Sequence, residues 1–182
     1  MNQKKQIAVI VGSLRTGSIN RKVAETLVRT APDSLALRIV EIGHLPLYNQ
    51  DYDADSPQAY TEFRHAIAES DGVLFVTPEH NRSMPAAMKN ALDIGSRPFS
   101  KSVWSGKPGA VISASPSSQG GFGANHHLRQ SLMCLNVYAM PNPETYLSRA
   151  DALFDEQGGA TPDGVRLIQR FIDAYAGWVA RF

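Results

Sequence analysis

The feature that most constrains this chain is its punctuation. Short apolar runs recur, each followed by a small-residue or polar loop and then by a stretch with helical spacing. The first instance runs from Ile7 to Lys22, I-A-V-I-V-G-S-L-R-T-G-S-I-N-R-K. Residues 7–11 read as a buried strand and residues 12–18 as a loop. Ile19–Thr30 reads as an amphipathic helix on the spacing of Val23, Leu27 and Val28. That order gathers backbone N–H groups, hydroxyls and the Arg15 guanidinium at one helix N-terminus, where an anion is favoured.

The alternation continues. Residues 35–42 predict a second strand, and residues 43–57 a long loop rich in Asp, Tyr and Pro. Ser56-Pro57 predicts the start of a helix to about Glu69, with Ser56 as N-cap and Pro57 in the first turn. The uninterrupted apolar run at residues 72–77 has the character of a central parallel strand. A short helix is expected at residues 85–95, with Ser83 positioned to cap it. A strand follows at 108–114, a Ser/Gly loop at 115–123, a helix at 124–135 and a short fifth strand at 137–140. Residues 148–163 read as a polar excursion and 164–182 as a terminal helix. Strand–helix alternation of this kind implies an α/β single domain over residues 1–182, a parallel sheet with helices on both faces. Ligands in such sheets bind beyond the carboxyl ends of the strands. Three loops leave those ends with small or polar residues: 12–18, 78–84 and 115–123.

Bulk properties exclude some functions. The formal net charge is +1, which argues against nucleic-acid binding through a basic face and against an acidic electron carrier that docks by charge. Cys134 is the single cysteine, so no intrachain disulfide can form, as suits a reducing compartment. Its apolar surroundings, Leu132-Met133-Cys134-Leu135, predict a buried, inert thiol. The basic stretch at residues 1–6 leads into an apolar run too short for a signal-peptide core, and no apolar stretch approaches the roughly 20 residues that span a bilayer. A cytoplasmic location with no membrane attachment is therefore expected.

The first loop fails two phosphate motifs. Ser13 and Leu14 break the dinucleotide pattern G-x-G-x-x-G, and Ser18-Ile19 stands where a P-loop needs Lys-Ser/Thr. What remains is Ser13, Arg15, Thr16, Ser18 and Asn20, able to satisfy a terminal phosphate monoester without metal. A capped helix with a solvated Arg15 would account for the same residues. The second loop, T-P-E-H-N-R-S-M-P, is stiffened by Pro78 and Pro85 and can present backbone N–H groups and Asn81 to a planar ligand. His80 has no second metal ligand at helical spacing, and Glu79 has no evident partner for general-base work. In the third loop Gly120, Gly121 and Gly123 permit unusual dihedrals or close backbone approach. His126 and His127 point to different sides of a helix start and cannot chelate together; a solvent-exposed or subunit-contact role is expected.

Two stretches, G-S-L-R-x-G-S-x-N (Gly12 to Asn20) and T-P-E-x-N-x-S-x-P…K-N-A-L-D (Thr77 to Asp93), resemble the NAD(P)H-dependent FMN reductases, in their bacterial chromate- and quinone-reducing branch. The third loop, with G-G followed by H-L-R-Q (Gly120 to Gln130), is similar too. The resemblance implies a flavodoxin-like fold with a five-stranded parallel sheet in order 2-1-3-4-5. It implies non-covalent FMN, with Ser13, Arg15, Ser18 and Asn20 on the phosphate and Ile19 alongside. Pro78, Glu79, His80, Asn81 and Arg82 would contact the flavin ring, and Ser115 its ring or ribityl edge. NADPH or NADH would pass hydride to the flavin. A small-molecule acceptor (a quinone, free flavin, azo dye or chromate) would then take the electrons in a ping-pong scheme that needs no catalytic acid, base or nucleophile and no metal. A homodimer or homotetramer is implied, with Arg97 and Glu144 at positions that pair across the interface in some relatives. The sequence departs from the family where His80 and Arg82 replace the usual tyrosines; Arg82 is a candidate for an anionic acceptor or the NADPH 2′-phosphate. A flavodoxin-like shuttle, a redox sensor and a Rossmann-type dehydrogenase using Glu41 are the competing readings.

Overall fold

The computed structural model describes residues 4–182; residues 1–3 of the basic N-terminal stretch lie outside the described residues. The elements run β1 (Lys5–Val11), α1 (Ile19–Thr30), β2 (Leu35–Val40), α2 (Gln58–Ala68), β3 (Gly72–Thr77), α3 (Ala86–Gly95), β4 (Pro108–Ala114), α4 (Phe122–Cys134), β5 (Tyr138–Ala139), β6 (Thr145–Leu147) and α5 (Pro162–Val179). Short 3-10 turns occur at Gln50–Tyr52 and Ala150–Leu153. The strands pair in parallel in the expected order β2-β1-β3-β4-β5, and β6 pairs with β4 beyond the end of β5.

The strand period of two splits the apolar side chains between two helical layers. Ile7, Val9, Val11, Leu74, Val76 and Ile112 face α1 and α5, meeting Val23, Leu27, Phe171 and Ile172. Ala8, Ile10, Val73, Phe75 and Val111 face the other way, toward Phe63, Ile67, Met88, Leu92, Leu128 and Trp104. Every residue of β3 and β4 is buried, which accounts for their unbroken apolar runs. At the amino edge of the sheet, the Tyr175 hydroxyl donates to the carbonyls of Val73 and Pro108 at 3.2 Å each. A Cβ on Gly72 would stand 2.6 Å from that hydroxyl, so α5 docks there only against a glycine.

Local chemistry moved several expected boundaries. Ser56 does not cap α2. Pro57 occupies the N-cap position without a side-chain bond, and Ser56 Oγ instead accepts from Arg64 Nη1 at 2.8 Å and donates to the Tyr52 carbonyl. Ser83 does not cap α3, whose N-cap is Pro85; its hydroxyl lies 2.6 Å from His127 Nδ1. The fifth strand contracts to Tyr138–Ala139, and Thr145–Leu147, unassigned from the sequence, takes the remaining edge of β4. Cys134 is exposed rather than buried. In the last turn of α4 only Leu132 faces the core, and Met133 is 76% exposed; consecutive apolar residues cannot all share one helix face.

Two outcomes follow from this packing. Tyr175→Phe should lose about 1 to 2 kcal/mol of unfolding free energy, read as a lower urea midpoint with an unchanged slope. A disulfide exchange reagent should titrate the Cys134 thiol in the native protein; reaction only after denaturation would contradict the exposed position.

Candidate functional site

β1 is hydrogen-bonded to β2 on one side and β3 on the other. Connections therefore leave β1 and β3 toward opposite faces, and a crevice opens beyond their carboxyl ends. A cleft of about 510 Å³ occupies that place. It is lined by Gly12, Ser13, Leu14, Arg15, Ser18, Ile19 and Asn20 from the first loop and α1. The second loop and start of α3 contribute Pro78, Glu79, His80, Pro85, Ala86 and Ala87, and the third loop Ala114, Ser115 and Pro116. The Gly12 amide donates to the Val76 carbonyl at 2.9 Å, which splices the first loop to the end of β3.

One end of the cleft is built for an anion. Ser18 caps α1, its hydroxyl accepting from the Arg21 amide at 3.2 Å, and its carbonyl accepts from Lys22. Of the four amides that a helix start leaves without intrahelical partners, those of Ile19 and Asn20 remain to face a ligand. Arg15 makes one long contact, 3.5 Å to the Gly17 carbonyl, and no ion pair among the described residues. Asn20 is buried; its amide nitrogen donates to the Ala114 carbonyl at 3.2 Å. That bond fixes the amide orientation, so Oδ1 is the free atom, and it is buried without a partner among the described residues. As an acceptor it suits a ligand hydroxyl rather than a phosphate oxygen.

The side of the cleft formed by the second loop and the start of α3 is largely apolar. Pro78, Pro85, Ala86 and Ala87 form it, with His80 at its rim. His80 and Ser83 exchange backbone hydrogen bonds of 2.9 Å. Asn81 and Arg82 between them have φ of 50° and 66°, the geometry of a type I′ turn. Pro78, Glu79 and His80 line the cleft, whereas Asn81 and Arg82, within the turn, are not among its lining residues. Arg82 bonds Glu79 Oε1 at 3.3 Å and also Gln119. Glu79, for which the sequence offered no partner, also accepts from the Ala124 amide at 3.1 Å.

In the third loop Ser115 lines the cleft and its hydroxyl accepts from the Ser117 amide. The glycines do make close approaches, but to protein. Gly120 (φ 59°) lies against the backbone of Tyr146, and Gly123 against the Arg82 carbonyl. His126 Nε2 sits 2.8 Å from the Tyr146 hydroxyl, which donates to Glu144 at 2.6 Å. Burial and the Glu144 carboxylate push the Tyr146 phenol well above its ordinary value, and that hydrogen bond pulls Glu144 down. No cluster of three or more potential metal ligands occurs among the described residues, and none of their helices is long and apolar enough to cross a membrane. Glu41 is not among the residues that line the cleft and pairs with Arg21 at 2.6 Å.

Sequence reasoning missed Gly12, Leu14, Pro85, Ala86, Ala87, Ala114 and Pro116 in the lining. The small residues flanking the two prolines were the available signal: a flat ligand needs walls without bulk.

A β2-β1-β3-β4-β5 parallel sheet with an anion-favouring helix start and a largely apolar wall at its switch point defines a flavodoxin-like mononucleotide-binding protein. The family described as NADPH-dependent FMN reductase matches residues 6–152, and the chain belongs to that family. A quinone reductase of Pseudomonas putida is 55% identical over 180 residues, covering 98% of this chain and 97% of the relative. A 2-hydroxy-1,4-benzoquinone reductase of a Burkholderia species is 46% identical over 175 residues, 96% of each chain. The solved structure of the flavoenzyme NAD(P)H:(acceptor) oxidoreductase of Paracoccus denitrificans superposes with a TM-score of 0.90 at 36% identity, covering 97% of this chain and 98% of that one. FMN is thus the cofactor and NAD(P)H the electron donor. The free amides of Ile19 and Asn20, the unpaired Arg15 and the orphaned acceptor of Asn20 fit that cofactor's phosphate and hydroxylated chain.

Asn20→Asp should raise the FMN dissociation constant about ten- to hundredfold, because it sets a carboxylate beside the anion site and removes the donor to Ala114. Quenching of flavin fluorescence on titration measures it.

Proposed function

We propose that this protein reduces quinones with electrons from NAD(P)H, using FMN held in the cleft between the three strand-end loops. The observation that carries the reading is one cleft that joins an anion-favouring helix start to a largely apolar wall. Arg15 and the amides of Ile19 and Asn20 hold the phosphate, with Ser13 and Ser18 completing the collar. Asn20 Oδ1 and Ser115 take the polyhydroxylated chain. Pro78, Glu79 and His80 back the ring through their main chain. Bound FMN supplies the redox chemistry, accepting hydride from the reduced nicotinamide and passing electrons to the acceptor.

The chain's own task is to bind, orient and exclude water. Pro78 and Pro85 fix the backbone on either side of the ring wall, and Ala86 and Ala87 leave room for a second planar molecule. The Glu79 carboxylate accepts hydrogen bonds from the Ala124 amide and from Arg82, and no acid, base or nucleophile is required of the chain. Relatives named as quinone reductases support quinones as acceptors; chromate, azo compounds and free flavins are further substrates to assay. A homodimer or homotetramer in a reducing cytoplasm completes the reading. The exposed Leu47 (78%) and Phe99 (84%) support self-association, and light scattering tests it.

The deciding experiment is a visible spectrum of the purified protein followed by steady-state NADPH and NADH oxidation with a benzoquinone. A yellow protein giving parallel double-reciprocal lines is expected. A flavin-bound protein with no turnover of its own would be a shuttle or sensor. In the same assay Arg15→Ala should raise the FMN dissociation constant about ten- to hundredfold through loss of a charge-assisted hydrogen bond. Its kcat at saturating FMN should stay close to the parent value.

A further inference from the structure

We propose that Glu79 is a positioning residue. By capping the N-terminus of α4 from the second loop, it fixes the Pro78–His80 backbone against which the flavin ring rests. The proposal rests on the ring lying along that loop, as set out above.

α4 begins without a cap of its own. Its N-cap residue is Gly121, in the left-handed region at φ 81°, with no side chain to accept a hydrogen bond. The Ala124 amide, at the third helical position, is the donor that an N-cap side chain ordinarily satisfies. Here Glu79 Oε2 satisfies it at 3.1 Å from 45 residues away. The negative charge lies at the positive end of the helix, and the side chain is only 14% exposed. Gly123 is shaped to this contact: a Cβ there would stand 3.0 Å from both Glu79 Oε2 and the Arg82 carbonyl.

The bond matters for the cleft because of what adjoins it. Glu79 sits between two cleft-lining residues, Pro78 and His80, and leads into a turn with two non-glycine residues at positive φ. Such a turn persists only when its surroundings hold it. The Glu79–Ala124 bond anchors one side of the turn, and the Ser83–His127 contact anchors the other. Both attach to α4, so the ring wall takes its position from that helix.

The test uses the FMN-loaded enzyme and three variants. Glu79→Ala should raise the FMN dissociation constant about five- to thirtyfold, the range of a lost helix cap, shift the visible bands of the bound flavin, and raise the quinone KM more than it lowers kcat. Glu79→Gln keeps a carbonyl oxygen for the Ala124 amide and should restore all three. Gly123→Ala, which crowds the same contact from the helix side, should move the spectrum and KM as Glu79→Ala does, and it stands in if that variant fails to fold. The proposal is overturned if Glu79→Ala lowers only the melting temperature with affinity, spectrum and KM unchanged. It is equally overturned if Glu79→Gln loses kcat as fully as Glu79→Ala, which would make the carboxyl a proton-transfer group. Arg15→Ala separates the two readings. If it weakens FMN binding and Glu79→Ala does not, positioning by Glu79 alone fails; if neither weakens it, the assignment of the cleft fails.

Discussion

The two-sided pairing of β1 is the constraint on which the rest of the architecture depends. A strand with parallel neighbours on both sides must send its own connection to one face while the next strand's connection goes to the other. The loops after β1 and β3 are pushed apart, and the cleft is the gap between them. The Gly12–Val76 hydrogen bond keeps that gap narrow at its floor. The core on both faces, closed by α1 and α5 on one and by α2, α3 and α4 on the other, holds β1 and β3 in register. The site therefore inherits its rigidity from the most deeply buried strands.

Electrostatics then assigns roles along the cleft. At the α1 end the groups left free are donors and a cation: two amides without helical partners and Arg15. At the other end the charged groups have been paired with each other. Glu79 answers the Ala124 amide and Arg82, and Arg82 reaches on to Gln119. A positively biased helix start and an apolar wall in one cleft suit a molecule with a phosphate at one extremity and a polarisable ring at the other.

Much of this was legible in the sequence because it rested on local rules. The α1 boundaries and the buried runs of β3 and β4 followed from periodicity and capping, whereas the strand order came from the family resemblance. Ser13, Arg15, Ser18, Ile19, Asn20, Pro78, Glu79, His80 and Ser115 line one cleft, as expected of one site. What escaped was set by contacts distant in sequence. Ser56 and Ser83 looked like caps, but Arg64 and His127 claimed their hydroxyls. Thr145–Leu147 is too short to announce itself and pairs only because β5 ends early. Cys134 looked buried from composition, and helix phase turned it outward. Arg82 looked like a ligand contact; in the fold it sits in the I′ turn and its side chain bonds Glu79 and Gln119.

The displacement of Arg82 bears on the acceptor. As an isolated charge beside the ring it would have favoured an oxyanion such as chromate, or the 2′-phosphate of NADPH. Turned out of the cleft and paired with Glu79, it contributes little attraction for an anion at the ring wall, since exposed ion pairs are screened by solvent. The surface left for an acceptor consists of Pro78, Pro85, Ala86 and Ala87 with the His80 imidazole at its rim. Apolar walls with one hydrogen-bonding ring match a neutral planar molecule carrying carbonyl oxygens at its edge, which describes a quinone better than a tetrahedral oxyanion. On this view the two departures from the family's usual tyrosines act separately. His80 lines the cleft, whereas Arg82 ties the turn to Glu79 and Gln119.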